Sequence, residues 1–180
     1  MNSCAITGHR PVRFNWKYQE NGTRCKRLKR RIQEQFTLLY EQGVRRFYAG
    51  GALGVDIWAG EILLRLKDQP EYGNIELVVA LPFENHDAQW DARSKSQLTF
   101  LINHGSETIT VGTTAEPAAV CYKRRNYYMA DHADCLLAVY DNNRSIRSGT
   151  GMTVNYAKKK QLPITLIHPD TAAVSHIGIS

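Results

Sequence analysis

Short apolar runs alternate along this chain with longer amphipathic segments, and that alternation predicts strands and helices in succession. Ser3 to Thr7, Val44 to Ala49, Ile75 to Leu81, Thr108 to Val111, Leu136 to Tyr140 and Pro163 to Ile167 read as six strands. Most are apolar at consecutive rather than alternate positions, the pattern of strands covered on both faces. The intervening segments carry helical periodicity. One runs from the turn Asn21-Gly22 to about Gln42 and is closed by Gly43 at its C-terminal end. A second, to about Lys67, buries Ile57, Trp58, Ile62, Leu63 and Leu66. Further helices are expected over His86 to Asn103, from Glu116-Pro117 through Met129, and over Met152 to Lys160, with Pro117 suited to a first turn. The residues after Ile167 read as a polar tail. The order implies an α/β fold, a doubly wound, mainly parallel sheet with helices on both faces, in a single domain over residues 1–180.

Three loops with glycines follow strands and therefore fall on the carboxyl edge of the sheet, where such folds bind ligands. The first is Thr7-Gly8-His9-Arg10-Pro11, the second Gly50-Gly51-Ala-Leu-Gly54-Val-Asp56, and the third Ser148-Gly149-Thr150-Gly151. Gly50, Gly51 and Gly54 permit positive φ and close backbone approach, and the helix after them offers free N–H groups to a phosphate or carboxylate. Their spacing is neither G-x-G-x-x-G nor the P-loop pattern. Arg10 has the fork geometry to grip a phosphate. Asp56 either complements the helix dipole or accepts from a ribose hydroxyl. Arg125 and Asn126 sit among Tyr122, Tyr127 and Tyr128. A buried arginine there needs a counter-charge, supplied by a ligand phosphate or by Asp131 or Asp134. Ser148 and Thr150 either contact phosphate oxygens or cap the last helix.

The formal net charge of +6 makes a phosphorylated ligand or nucleic acid a partner to test. Arg24, Lys26, Arg27, Lys29, Arg30 and Arg31 account for as much charge as the whole excess. They fall opposite Cys25, Leu28, Ile32, Phe36 and Leu39, so a solvated helix face is favoured over a nucleic-acid surface. Cys4, Cys25, Cys121 and Cys135 are scattered, which predicts reduced, buried thiols, and no His/Asp/Glu cluster has metal-ligand spacing. The apolar run Leu136 to Tyr140 is far short of a membrane span, and Met1-Asn-Ser has no basic leader, so a cytoplasmic location is expected.

Together, Thr7-Gly-His-Arg-Pro11, Gly50 to Glu61 and Tyr122 to Asp141 resemble the SLOG superfamily, the Rossmann-like group that includes DprA and the LOG-type phosphoribohydrolases. The YpsA-like branch is the nearest. The resemblance implies a Rossmann-like domain that binds a nucleotide or nucleotide-derived ligand, NAD or ADP-ribose, as a sensor or regulatory module, with a homo-oligomer common among such proteins. LOG enzymes pair R-K-x-x-M with P-G-G-x-G-T-x-x-E. Arg125-Asn-Tyr-Tyr-Met129 is similar to the first, whereas Ser148 to Asn155 replaces the second. Thr153 or Asn155 then stands where the glutamate would be, and neither is a carboxylate acid or base, which leaves Asp56 or Asp141 as the available substitutes. No catalytic residue is assigned on this basis. A nucleotide N-glycosidase of phosphoribohydrolase type is the alternative function, and single-stranded nucleic-acid binding resembling that of DprA, through the Arg24 to Arg31 face, is the second alternative.

Overall fold

The computed structural model describes residues 1–178. Strands β1 (Ser3–Gly8), β2 (Arg46–Ala49), β3 (Glu76–Leu81), β4 (Glu107–Thr110), β5 (Cys135–Val139), β6 (Ile164–Ile167) and β7 (Val174–Ile177) form one sheet in the order β4-β3-β2-β1-β5-β6-β7. All neighbours pair in parallel except β7, which runs antiparallel to β6. Successive strands step outward from β1 to β4, and β5 then returns to the other flank of β1. The order reverses between β1 and β5, where Gly8 is registered with Val139. The connections diverge there and leave a crevice beyond the carboxyl ends of both strands.

Alternate residues of the central strands enter opposite cores. Helices α1 (Thr23–Glu41), α2 (Val55–Lys67) and α3 (Ala92–His104) cover one face, packing Leu28, Ile32, Phe36, Trp58, Ile62, Leu63 and Leu101 against Cys4, Ile6, Phe47, Leu77, Val79, Leu137 and Val139. Helices α4 (Ala118–His132) and α5 (Gly149–Lys159) cover the other, with Met129, Val154 and Ala157 on Ala5, Tyr48, Val78, Ala80, Leu136 and Ala138. This two-sided burial is why the strands lack polar alternation.

Most element boundaries shift by a few residues, and three departures from the sequence reading are larger or change the picture. The helix expected from His86 begins at Ala92, because Asp91 caps it, Oδ1 accepting from the Ser94 N–H at 2.9 Å. The glycine turn before the last helix is that helix's own first turn, with Ser148 as its N-cap. The expected polar tail contains β7, turned back on β6 through the Ala172 N–H to His168 carbonyl bond of 2.9 Å and Ala172 at φ 58°. Val174, Ser175, His176 and Ile177 lack a long apolar run because an edge strand buries only part of its surface.

Candidate functional site

A cavity of about 250 Å³ opens at the reversal between β1 and β5. Its walls are Thr7 to Arg10 with Val12 and Arg13 after β1, Ala52 and Asp56 at the start of α2, Tyr122, Arg125, Asn126 and Met129 on α4, and Arg147 to Thr150 at the start of α5. The three loops singled out in the sequence thus meet, but they contribute unequally. Thr7, Gly8, His9, Arg10, Asp56, Arg125, Asn126, Ser148, Gly149 and Thr150 reach the cavity, whereas Gly50, Gly51, Gly54 and Gly151 stand behind its wall.

Those glycines are needed for close packing. A Cβ on Gly50 would lie 2.7 Å from the Arg125 guanidinium and 2.8 Å from Asp56 Oδ2, so the bare Cα is the slot between two charged groups. A Cβ on Gly8 would lie 2.5 Å from the Val55 side chain, where α2 abuts the end of β1. Gly54 is pressed against the His9 carbonyl and Gly151 against the Tyr140 hydroxyl. The Gly51 carbonyl accepts from His86 Nε2 at 2.9 Å.

Asp56 turns inward from the first turn of α2 and accepts from the Ala52 N–H at 3.1 Å. It is buried, and burial pushes its carboxyl above the usual range against the pull of Arg125 and the Ala52 N–H. Arg125 is equally buried. Its Nη1 donates to the Gly50 carbonyl and its Nε to Asn126 Oδ1 at 2.9 Å. Desolvation lowers its pKa while Asp56 opposes that change. The carboxylate that faces Arg125 is Asp56, across the bare Cα of Gly50 and beyond ion-pair distance. The two aspartates considered from sequence are otherwise engaged: Asp131 accepts from Tyr156 at 2.7 Å, and Asp134 accepts from the Asn2 N–H at 2.7 Å.

The α2 dipole is thus met by the protein's own carboxylate, and the open helix end in the cavity belongs to α5. Ser148 Oγ is used in capping, accepting from the Gly151 N–H at 3.0 Å. The first N–H groups of α5, at Gly149 and Thr150, are the donors a helix leaves without intrahelical partners. Arg10, Arg13 and Arg147 line the same cavity. The Arg10 guanidinium lies 5.0 Å and that of Arg125 5.5 Å from the Tyr122 ring centre. His9 is 2% exposed, with Nε2 unpartnered and 3.7 Å from Asp141 Oδ1. Arg13 approaches the other Asp141 oxygen at 3.5 Å.

Arg13 and Arg147 were not anticipated from sequence. Each is next to a recognised motif, Arg13 closing the short turn Pro11–Arg13 and Arg147 preceding the Ser148 cap, and adjacency was the available signal. Neither position that could replace the LOG glutamate lines the cavity: Thr153 Oγ1 donates to the Gly149 carbonyl at 2.9 Å, and Asn155 is exposed. On α1, Arg27 donates to the Asp170 carbonyl at 2.6 Å, Arg31 to the Ala172 carbonyl at 3.1 Å, and Lys29 pairs with Glu20 at 3.5 Å. Half of that basic face therefore holds the fold together. Among the described residues, no helix is long and apolar enough to cross a membrane.

Comparison with known proteins follows the same lines. The model of the YspA SLOG family matches residues 4–172. UPF0398 proteins of Bacillus thuringiensis (strain Al Hakam) and Bacillus cereus are 26% identical over 161 residues, covering 89% of this chain and 84% of theirs. Among solved structures, DNA processing protein A from Helicobacter pylori, described for its single-stranded DNA binding mode, superposes with a TM-score of 0.59 at 17% identity. The alignment covers 92% of this chain and 64% of that one. At that identity the likeness is one of fold.

Proposed function

The chain belongs to the YspA SLOG family, and on that premise we propose that it binds the phosphate-bearing part of a nucleotide or nucleotide-derived molecule at the crevice between β1 and β5, as a sensor or regulatory module. The carrying observation is the convergence of Arg10, Arg13, Arg125 and Arg147 with the open N-terminus of α5 on one cavity. Arg125 is committed to Gly50 and Asp56 and gives the wall its shape. Arg10 and Arg147 are exposed, carry the uncommitted charge, and pair with an anion bidentately. The volume of about 250 Å³ is small against typical ligand pockets of roughly 300–1,000 Å³. It suits one phosphate and its sugar, with the rest of a molecule such as ADP-ribose or NAD extending outward. The test is a thermal-shift panel of AMP, ADP-ribose and NAD with the protein and with Arg147→Ala. A ligand that binds the native state raises the melting temperature by mass action, and the shift should vanish in the variant while its unliganded melting temperature is kept. No shift with any of the three rejects the reading.

A second reading is single-stranded nucleic-acid binding, supported by the single-stranded DNA binding of the Helicobacter pylori neighbour and by a groove on this chain lined by Asn15, Arg24, Arg27 and Arg30. Such binding should weaken steeply as salt rises, and its absence at low salt rejects it. A homo-oligomer is proposed from the family resemblance and is read by light scattering.

A further inference from the structure

His9 and Asp141 stand side by side where the sheet reverses. His9 follows β1, Asp141 follows β5, and the register of Gly8 with Val139 brings the two strand ends together. His9 Nε2, enclosed and unpartnered, faces Asp141 Oδ1 at 3.7 Å. That gap is longer than a hydrogen bond yet too short for an in-line bridging water. Tyr140 meets the imidazole edge-on, 5.5 Å between ring centres, and the same histidine lines the cavity. A carboxylate facing one imidazole nitrogen holds the tautomer that leaves the other free to accept a proton. Desolvation and the nearby Arg13 lower the pKa of His9 while Asp141 opposes them, so burial favours the neutral ring.

Building on the nucleotide-binding reading, we infer that this cavity hydrolyses the P–O–P bond of a nucleoside diphosphate derivative, with His9 as general base and Asp141 as its positioning residue. The charge of the cavity selects the bond. Cleavage of an N-glycosidic linkage develops positive charge on the sugar, which the uncommitted Arg10 and Arg147 oppose. Attack on phosphorus spreads negative charge over the phosphoryl oxygens, which arginines and helix N–H groups stabilise. In the step, His9 Nδ1 takes a proton from water and the water oxygen bonds to phosphorus. The bridging P–O bond breaks with its electron pair on the departing phosphate oxygen, and the imidazolium returns its proton to the departing phosphate. Water is the sole co-reactant, and two phosphomonoesters are the products.

The experiment incubates the full chain with ADP-ribose, separates AMP and ribose 5-phosphate by anion-exchange chromatography, and measures ADP-ribose binding in parallel by calorimetry. Turnover is expected, reduced about 100-fold or more in His9→Asn with ADP-ribose still bound, the range for loss of a general base. Asp141→Asn should lower kcat about 10-fold or more and move the acidic limb of the pH profile to lower pH, because the lost charge helps protonate His9. ADP-ribose binding without turnover overturns the hydrolysis and leaves the binding reading standing; absence of both overturns both. Turnover unchanged in His9→Asn overturns the role of His9. If that variant misfolds, Asp141→Asn, at a residue 27% exposed, decides: an unmoved pH profile overturns the pairing.

Discussion

Arg125 donates to the carbonyl of Gly50, a residue 75 positions earlier in the chain, and its guanidinium occupies the space a Gly50 side chain would need. The glycine and the arginine are thus one structural unit. The loop after β2 is held by α4, a helix on the opposite face of the sheet from α2. Asp56 completes the unit from the first turn of α2.

Gly50→Ala should therefore act through Arg125 and Asp56. Its Cβ would meet groups at 2.7 and 2.8 Å, and overpacking of this kind costs typically about 1–3 kcal/mol. Urea denaturation should show the loss, and nucleotide affinity should fall with it as Arg125 is displaced. Unchanged stability would mean that the guanidinium relocates freely.

Arg125→Met should destabilise by about 1–3 kcal/mol, the cost of leaving buried acceptors without their donor. Asp56, at 6% exposure, also loses the guanidinium that faces it. Adding Asp56→Asn should restore part of the loss, so the double variant is more stable than the sum of the single changes. A double-mutant cycle measures that coupling directly, and simple additivity would mean that Asp56 and Arg125 are uncoupled.

The pH dependence follows from the two depressed histidines. Burial lowers the pKa of His9 and of His86 from the usual 6.5. Below pH 6.5 the unfolded chain binds protons that the folded protein resists, so stability present above that value is lost as pH falls toward the folded-state pKa values. Chemical denaturation at pH 7.5, 6.5 and 5.5 should show the decline, and His9→Asn should make it shallower.

Ser148→Ala should cost about 1 kcal/mol through loss of the α5 cap, with the Gly151 N–H left without its acceptor. Its melting temperature should fall, while the backbone donors at Gly149 and Thr150 continue to hold an anion. Affinity for the nucleotide should thus change less than in Arg147→Ala, as titration calorimetry of the two variants would show.

Strand positions were readable because a strand buried on both faces is apolar throughout, as Leu77 to Leu81 and Cys135 to Val139 are. The edge strand β7 was not readable, since four residues with two exposed carry no such run. The true start of α3 was marked by Asp91 and Ser94, a local cap outweighed by the longer periodicity drawn from His86.

Local order along the chain, including the placing of three glycine loops and their flanking charges at one edge of a parallel sheet, follows from residue spacing, because strand, turn and helix signals are short-range. Partnership across the sheet does not. That Arg125 would face Asp56 across Gly50 while Asp131 is engaged by Tyr156, and that His9 would face Asp141, were settled by packing. Desolvation forces buried charges and unpaired donors onto whichever groups the topology brings within reach, and that reach exists once β1 and β5 lie side by side.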